Sequence, residues 1–254
     1  MIPSSKQPEI NLYIQESFRD MADKDYIAAR IAYRYGLAYP FLWLALQAIE
    51  KYLKAILLYN GRTSKNIKKS GHSILDAFDK VCEISDVPFD FPKNIRPFIE
   101  YLDEQGTNRY FEYPYYTFGK ELLFLDRTVW HIRRYCFYLR GTLHNPGGEP
   151  IDLFPLNLKK IQHPKTLEYP NRYRIPGSGF LEEMMGKRTE IRQQLVWKNF
   201  YYGTYRKSVI KGYRLRRVAG NPTHFRHPDI FPELDKIVKF SKPLREYFRK
   251  RGVI

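Results

Sequence analysis

A chain of 254 residues, 43% of them apolar, with a formal net charge of +16, is long enough to bury a real core as one large domain or two small ones. No apolar run approaches the roughly 20 residues of a membrane span, and residues 1–10 carry Ser, Lys, Gln and Glu where a signal peptide needs an apolar stretch, so a cytoplasmic protein is expected. Cys82 and Cys136 are too few for a disulfide framework or a cysteine zinc site, and both read as packed thiols.

Residues 25–60 have the spacing of two amphipathic helices. Ala28, Ile31, Ala32 and Tyr35 share one face of the first, which Gly36 ends. Pro40 suits the first turn of the second, whose apolar face runs through Phe41, Leu44, Ala45, Ala48, Ile49, Tyr52, Leu53, Ile56 and Leu57. Asn60 and Gly61 supply its C-cap. After a loop with Lys65, Lys68 and Lys69, a third helix starts near His72 and carries Ile74, Leu75, Phe78 and Val81; Pro88 and Pro92 then break the chain. A short fourth segment (Ile95, Phe98, Ile99, Leu102) leads to an aromatic loop at 110–116. A long fifth helix over 119–139 places Leu122, Leu125, Val129, Ile132 and Cys136 at helical spacing.

Beyond this point the pattern dissolves. Six prolines between 145 and 179 interrupt every element and mark a linker or wrapped arm. Helical character returns over 180–205 and 232–248, where Ser241 and Pro243 resemble an N-cap followed by an early-turn proline. Residues 1–144 hold 20 Lys+Arg against 17 Asp+Glu, a balance of +3, whereas residues 145–254 hold 23 against 10, a balance of +13. An excess so lopsided is a solvated basic face or the footprint of a polyanion partner. With no internal repeat and no alternating strand pattern, the expected architecture is all-α: a helical core domain over 8–144, a proline-rich linker or arm over 145–179, and a basic, partly helical extension over 180–254.

Five features, in order, resemble the HEPN (higher eukaryotes and prokaryotes nucleotide-binding) domain superfamily across the first half of the chain. They are Asp25-Tyr26-Ile27-Ala28-Ala29-Arg30; Gln47-Ala48-Ile49-Glu50-Lys51-Tyr52-Leu53-Lys54-Ala55-Ile56-Leu57-Leu58; Gly71-His72-Ser73-Ile74-Leu75; Asn108-Arg109-Tyr110; and a closing helix carrying Arg133, Arg134 and Arg140. The resemblance implies an up-and-down antiparallel helical bundle, frequent homodimers, and work beside a small nucleotidyltransferase in toxin–antitoxin or defence pairs. Many members are metal-independent RNases in which an Arg and a following His are separated by roughly four to six residues. His shuttles a proton near neutral pH while Arg holds the phosphate.

Here Arg109 stands at the matching turn, but Pro114, Tyr115 and Tyr116 occupy the positions where His would follow. A tyrosine hydroxyl, with a pKa of about 10, is a poor proton shuttle at neutral pH. A rearranged site would draw on His131 or His144, each four residues after an arginine (Arg127, Arg140). Arg217 and His224 have six residues between them, but Gly220 and Pro222 intervene and the spacing reads as coincidence.

His72 at a helix start is a phosphate contact or a cap; Lys51 and Lys54 are phosphate contacts or solvated lysines. The richest binding candidate interleaves Tyr201, Tyr202 and Tyr205 with Arg206, Lys207, Lys211, Tyr213, Arg214, Arg216 and Arg217, offering stacking surfaces beside phosphate-pairing cations. The alternative is that these tyrosines pack the extension onto the bundle. Glycine-rich phosphate loops, the His-Glu-x-x-His zinc motif and the serine nucleophile elbow are all absent, so neither cofactor nor metal is expected. The expectation is a HEPN-like protein binding RNA or nucleotide phosphates without catalysis. The alternatives are a metal-independent RNase with a divergent Arg/His site and a protein-interaction scaffold that uses the aromatic loop.

Overall fold

The computed structural model describes residues 6–62, 73–108, 111–176, 178–203 and 217–254. The first helical pair begins earlier than the sequence pattern suggests. Helix α1 (Gln7–Ile14), a single π-helical turn (Gln15–Arg19) and α2 (Asp20–Arg34) run on without a break. Gly36, at φ +74°, reverses the chain into α3 (Ala38–Tyr59). Helix α3 closes with Gly61 at φ +75°, its amide donating to Leu58 O (3.0 Å) while Arg62 N donates to Leu57 O (2.9 Å). This is the left-handed glycine cap that satisfies the last carbonyls of a helix.

The remaining bundle helices are α4 (Ile74–Cys82), α5 (Ile95–Gly106) and α6 (Glu121–Arg133). Ser73 Oγ caps α4 by accepting from Asp76 N (3.2 Å). Helix α3 is the axis: it packs against α2, α4, α5 and α6, and Phe41, Ala45, Ala48, Ile49, Tyr52, Leu53 and Ile56 are fully buried there. The fold is all-α, an antiparallel helical bundle carrying, among the described residues, two small two-stranded ladders. Among the described residues no helix is long and apolar enough to cross a membrane.

Four expectations change. On α2, Tyr35 is 71% exposed and Ala28 and Ile31 are only half-buried, because the inward face instead carries Ala22, Asp23, Tyr26, Ala29, Arg30 and Tyr33. The fifth helix stops at Arg133 rather than 139. Beyond it the backbone tightens into a turn, with Tyr135 N donating to Ile132 O (3.0 Å) and Cys136 N to Arg133 O (2.8 Å), while the buried Arg134 donates to the carbonyls of Asp90 (2.6 Å) and Ile161 (3.2 Å). Cys136 is buried, but Cys82, at the end of α4, is exposed. The prolines of 145–179 do not prevent helices. Pro155 lies in the first turn of α7 (Leu153–Ile161) and Pro164 begins α8 (Pro164–Glu168), positions where no intrahelical amide is needed.

A hairpin of β2 (Thr142–His144) and β3 (Pro150–Asp152) precedes α7. Ile161 and Ile175 then join the bundle's core, as do Leu181 of α9 (Phe180–Gly186), Leu195 of α10 (Glu190–Val196) and Tyr202. The last stretch pairs β4 (Ala219–Gly220) with β1 (Tyr115–Tyr116) and continues through α11 (Thr223–Arg226), α12 (Phe231–Ile237) and α13 (Lys242–Lys250). Its core, Phe231, Phe240, Leu244 and Phe248, is separate.

Gly106 shows how closely α5 meets α3: a Cβ there would lie 2.8 Å from Leu46 Cβ and 2.9 Å from Leu42 O. Gly106→Ala is expected to force the two helices apart and cost about 1–3 kcal/mol in urea-unfolding measurements; an unchanged midpoint would contradict this close approach.

Candidate functional site

Among the described residues, a cluster of buried polar side chains runs along the inward face of the π-turn and α2. Arg19, Asp23, Tyr26 and Arg30 recur at intervals of four, three and four, so they form one stripe along the helix. Each meets a partner. Arg133 of α6 donates from Nε to Asp23 Oδ1 (2.7 Å) and from Nη2 to Asp23 Oδ2 (2.8 Å). The same guanidinium grips Glu182 of α9, with Nη1 2.7 Å from Oε1 and Nη2 2.6 Å from Oε2. Tyr52 OH (2.6 Å) and Leu181 N (3.2 Å) also donate to Asp23.

Further along α2, Arg30 and Tyr26 share Asp126 of α6: the guanidinium pairs with it, and the Tyr26 hydroxyl donates at 2.6 Å. Asn199 donates to Tyr26 OH (2.8 Å). Arg30 also holds the carbonyls of Gln194 (3.1 Å) and Trp197, and Arg19 that of Ser178 (2.6 Å). Gly179 is needed beside this clasp, since a Cβ would lie 2.7 Å from Arg19 Nη2 and 3.1 Å from Arg133 Nη2.

These partners set the titration of the site. Burial alone would raise Glu182, but the charge and hydrogen bonds of Arg133 prevail and hold it at about 2. Burial, and then the neighbouring carboxylates Asp126 and Asp23, push the hydroxyls of Tyr26 and Tyr52 far above their ordinary value, so both stay protonated donors. A cleft of about 600 Å³ opens beside the clasp, lined by Gln15, Asp20, Arg174, Ser178, Glu182 and Glu183. With three carboxylates to one guanidinium, it is a poor host for phosphate.

Of the residues singled out in the sequence, the structure brings Arg127, His131 and Tyr201 into contact, and none of them joins the ion pairs of the clasp. Arg109, His72, Tyr205, Arg206, Lys207, Lys211, Tyr213, Arg214 and Arg216 lie outside the described residues. His131 packs beside Trp130 and Tyr201, and burial, followed by the charges of Arg134 and Arg127, lowers it to about 3. It is neutral at physiological pH, with its Nδ1 buried and unpartnered, and cannot serve as a proton shuttle there. His144 is exposed on β2, beyond the end of α6, so Arg140 and His144 do not share a helix face; Arg140 pairs with Asp86.

Lys51 pairs with Asp25, and Lys54 with Glu50 (2.5 Å). Tyr202 is buried in the core, and Tyr201 is half-buried against Trp130 with its hydroxyl accepting from Arg127 Nε (3.0 Å). Tyr202 thus presents no free ring to a base. Arg217 is exposed, while His224 is buried among phenylalanines. Among the described residues no group of three or more His, Cys, Asp or Glu is arranged to hold a metal ion.

Bundle and buried stripe together define a helical domain whose inward polar face is completed by later parts of the chain. Residues 15–126 match the HEPN domain family, and this part of the chain is a HEPN domain. The match contains Arg19, Asp23, Arg30 and Asp126 but ends before Arg133, Glu182 and Asn199. No curated protein and no solved structure matches the chain.

The sequence pattern did not single out this cluster, although the stripe of polar residues at helical spacing was its signal. Replacing Arg133 with Met is expected to leave two buried carboxylates facing each other and to cost about 3–5 kcal/mol in equilibrium unfolding. Glu182, held at about 2 against an ordinary 4.5, stabilises the fold above pH 4.5, and that contribution fades as the pH falls towards 2. Glu182→Gln is therefore expected to lower stability at neutral pH by something on the order of 3 kcal/mol and to flatten the acid limb of a stability–pH profile. A variant whose acid limb matches the parent would show that the pair contributes nothing.

Proposed function

We propose that this HEPN-domain protein binds nucleic acid through its phosphates, without cleaving it. The observation that carries the reading is the charge distribution. The excess of +13 in residues 145–254 lies beyond the HEPN match, and the buried clasp consumes only a few of the chain's cations. A concentrated cationic surface gains affinity for a polyphosphate by releasing condensed counterions, with no requirement for a particular base sequence.

The non-catalytic part of the reading is supported by the state of the histidines. His131 is half-buried with its pKa lowered to about 3, and His144 stands on an exposed hairpin. In this reading the protein works as a homodimer beside a nucleotidyltransferase partner in a toxin–antitoxin or defence pair, as the family resemblance implies.

The test is binding of the purified full chain to labelled RNA by fluorescence anisotropy over a range of salt, with chelator present. Expected are retention of nucleic acid after low-salt purification, affinity falling steeply and log-linearly with salt, and intact RNA at the end of the incubation. Absence of binding at low salt would overturn the reading. RNA cleavage abolished by Arg109→Ala would replace it with the RNase alternative.

A further inference from the structure

The unit formed by residues 217–254 lies outside the HEPN match and has no role in the buried clasp. Its core is aromatic: the rings of Phe231 and Phe248 stack at 4.0 Å, and His224, Phe225 and Phe240 close around them. Several contacts tie it to the aromatic loop of the bundle. Strand β4 pairs with β1, His224 Nε2 lies 2.8 Å from Glu112 O, and Tyr113 meets both the Phe225 ring and Ser241 Oγ (3.2 Å). The N-terminus of α13 is thereby placed close to the loop that carries Tyr116.

The unit's charge is uneven. It holds nine Lys+Arg against four Asp+Glu. Two of its carboxylates are occupied within the unit, Glu233 by Lys236 (2.8 Å) and Asp235 by Arg245 (2.8 Å). Helix α13 buries Leu244 and Phe248 and turns Lys242, Arg249 and Lys250 to solvent, with Glu246 its lone carboxylate. Lys242 and Arg249 are two turns apart, about 10 Å along the axis. Lys239 and Arg217 are exposed as well. None of these five cations forms an ion pair with a described carboxylate.

The loop that meets Ser241 at the start of α13 also carries an exposed ring. Tyr116 is 50% exposed, yet its backbone is fixed on both sides: Tyr101 OH donates to its carbonyl (2.7 Å) and its amide donates to Gln105 Oε1 (3.1 Å). Arg217 is two residues from Ala219, the ladder partner of Tyr116. A half-exposed ring on a rigid backbone loses little freedom when another planar group stacks on it.

We propose that the α13 cations, Lys239, Arg217 and the Tyr116 ring form a binding surface for single-stranded nucleic acid, in which the cations track the phosphates and the ring stacks a base. This rests on the phosphate-binding reading above and adds the place and the strandedness. Single strands suit the surface because their unpaired bases can reach a ring, whereas in a duplex the bases are stacked on one another and only the phosphates reach the cations.

Anisotropy titrations of the full chain with an oligouridine of about 16 nucleotides, and with a duplex of equal length, test it. The triple variant Lys242→Ala, Arg249→Ala, Lys250→Ala is expected to bind the single strand about ten-fold more weakly and to reduce the salt slope by about 2, near 0.7 per lost cation. Tyr116→Ala is expected to cost about five-fold or more on the single strand and to leave duplex binding unchanged. These side chains lie outside both cores, and a thermal melt confirms that the variants fold. If the parent binds RNA and the triple variant keeps its affinity and slope, this surface is overturned while the general phosphate-binding reading stands. Equal losses on duplex and single strand from Tyr116→Ala overturn the single-strand assignment. Failure of the parent to bind either oligonucleotide, or equally salt-sensitive binding of polyglutamate taken up by the same cations in preference to RNA, overturns both.

Discussion

Burying the Arg133 guanidinium requires carboxylates, and they come from far apart in the chain: Asp23 on α2 and Glu182 on α9. Each is nearly inaccessible to water, so no charge of the three is tolerable alone, and removing Arg133 leaves two buried carboxylates without their shared counter-ion. The pairing therefore does more than add stability. It dictates that the segment around α9 and α10 lies against α2 and α6, and the neighbouring Arg30–Asp126 pair repeats the requirement further along. Both clusters are saturated with hydrogen bonds from tyrosine hydroxyls, an asparagine amide and backbone groups, the condition under which a buried polar network is stable and specifies one arrangement.

This clasp also joins the HEPN domain to the segment around α9 and α10. The family match stops at Asp126, within α6, but the inward arginines of α2 direct their guanidiniums at carbonyls of Ser178, Gln194 and Trp197. Those carbonyls and the Glu182 carboxylate occupy the positions that a bound anion's oxygens would otherwise take on the same arginines. The inward arginines Arg19 and Arg30 are thus satisfied internally, and the surface proposed above for a polyanion draws on other cations.

The separation has a physical logic. Arginines in the interior contribute directional, bidentate bonds and lose their hydration once, on folding. Lys242, Arg249 and Lys250 on α13 are exposed to water and counterions, which is the state in which a polyphosphate gains by displacing those ions. The same residue types thus serve as cross-links in one half of the molecule and as a solvated field in the other, according to whether a carboxylate or a carbonyl is within reach.

Helical periodicity was legible along the chain: Phe41 to Leu57 reads as one buried face and is one, and the all-α class follows from it. The family was legible too, in the order of its helical segments. Less legible were the inward face of α2 and the end of α6. Asp23, Arg30, Arg133 and Arg134 are charged residues, and any rule that sends charges outward misplaces them; only partners brought from other elements make their burial favourable. The ring of Tyr202 looked as free as that of any tyrosine beside a basic run, but the core of the bundle covers it. Local pattern governs which segments become helices, because hydrogen bonds and side-chain spacing within a segment suffice. Which charges are buried and which rings are open depends on partners more than a hundred residues away, and the fold had to be formed before that could be read.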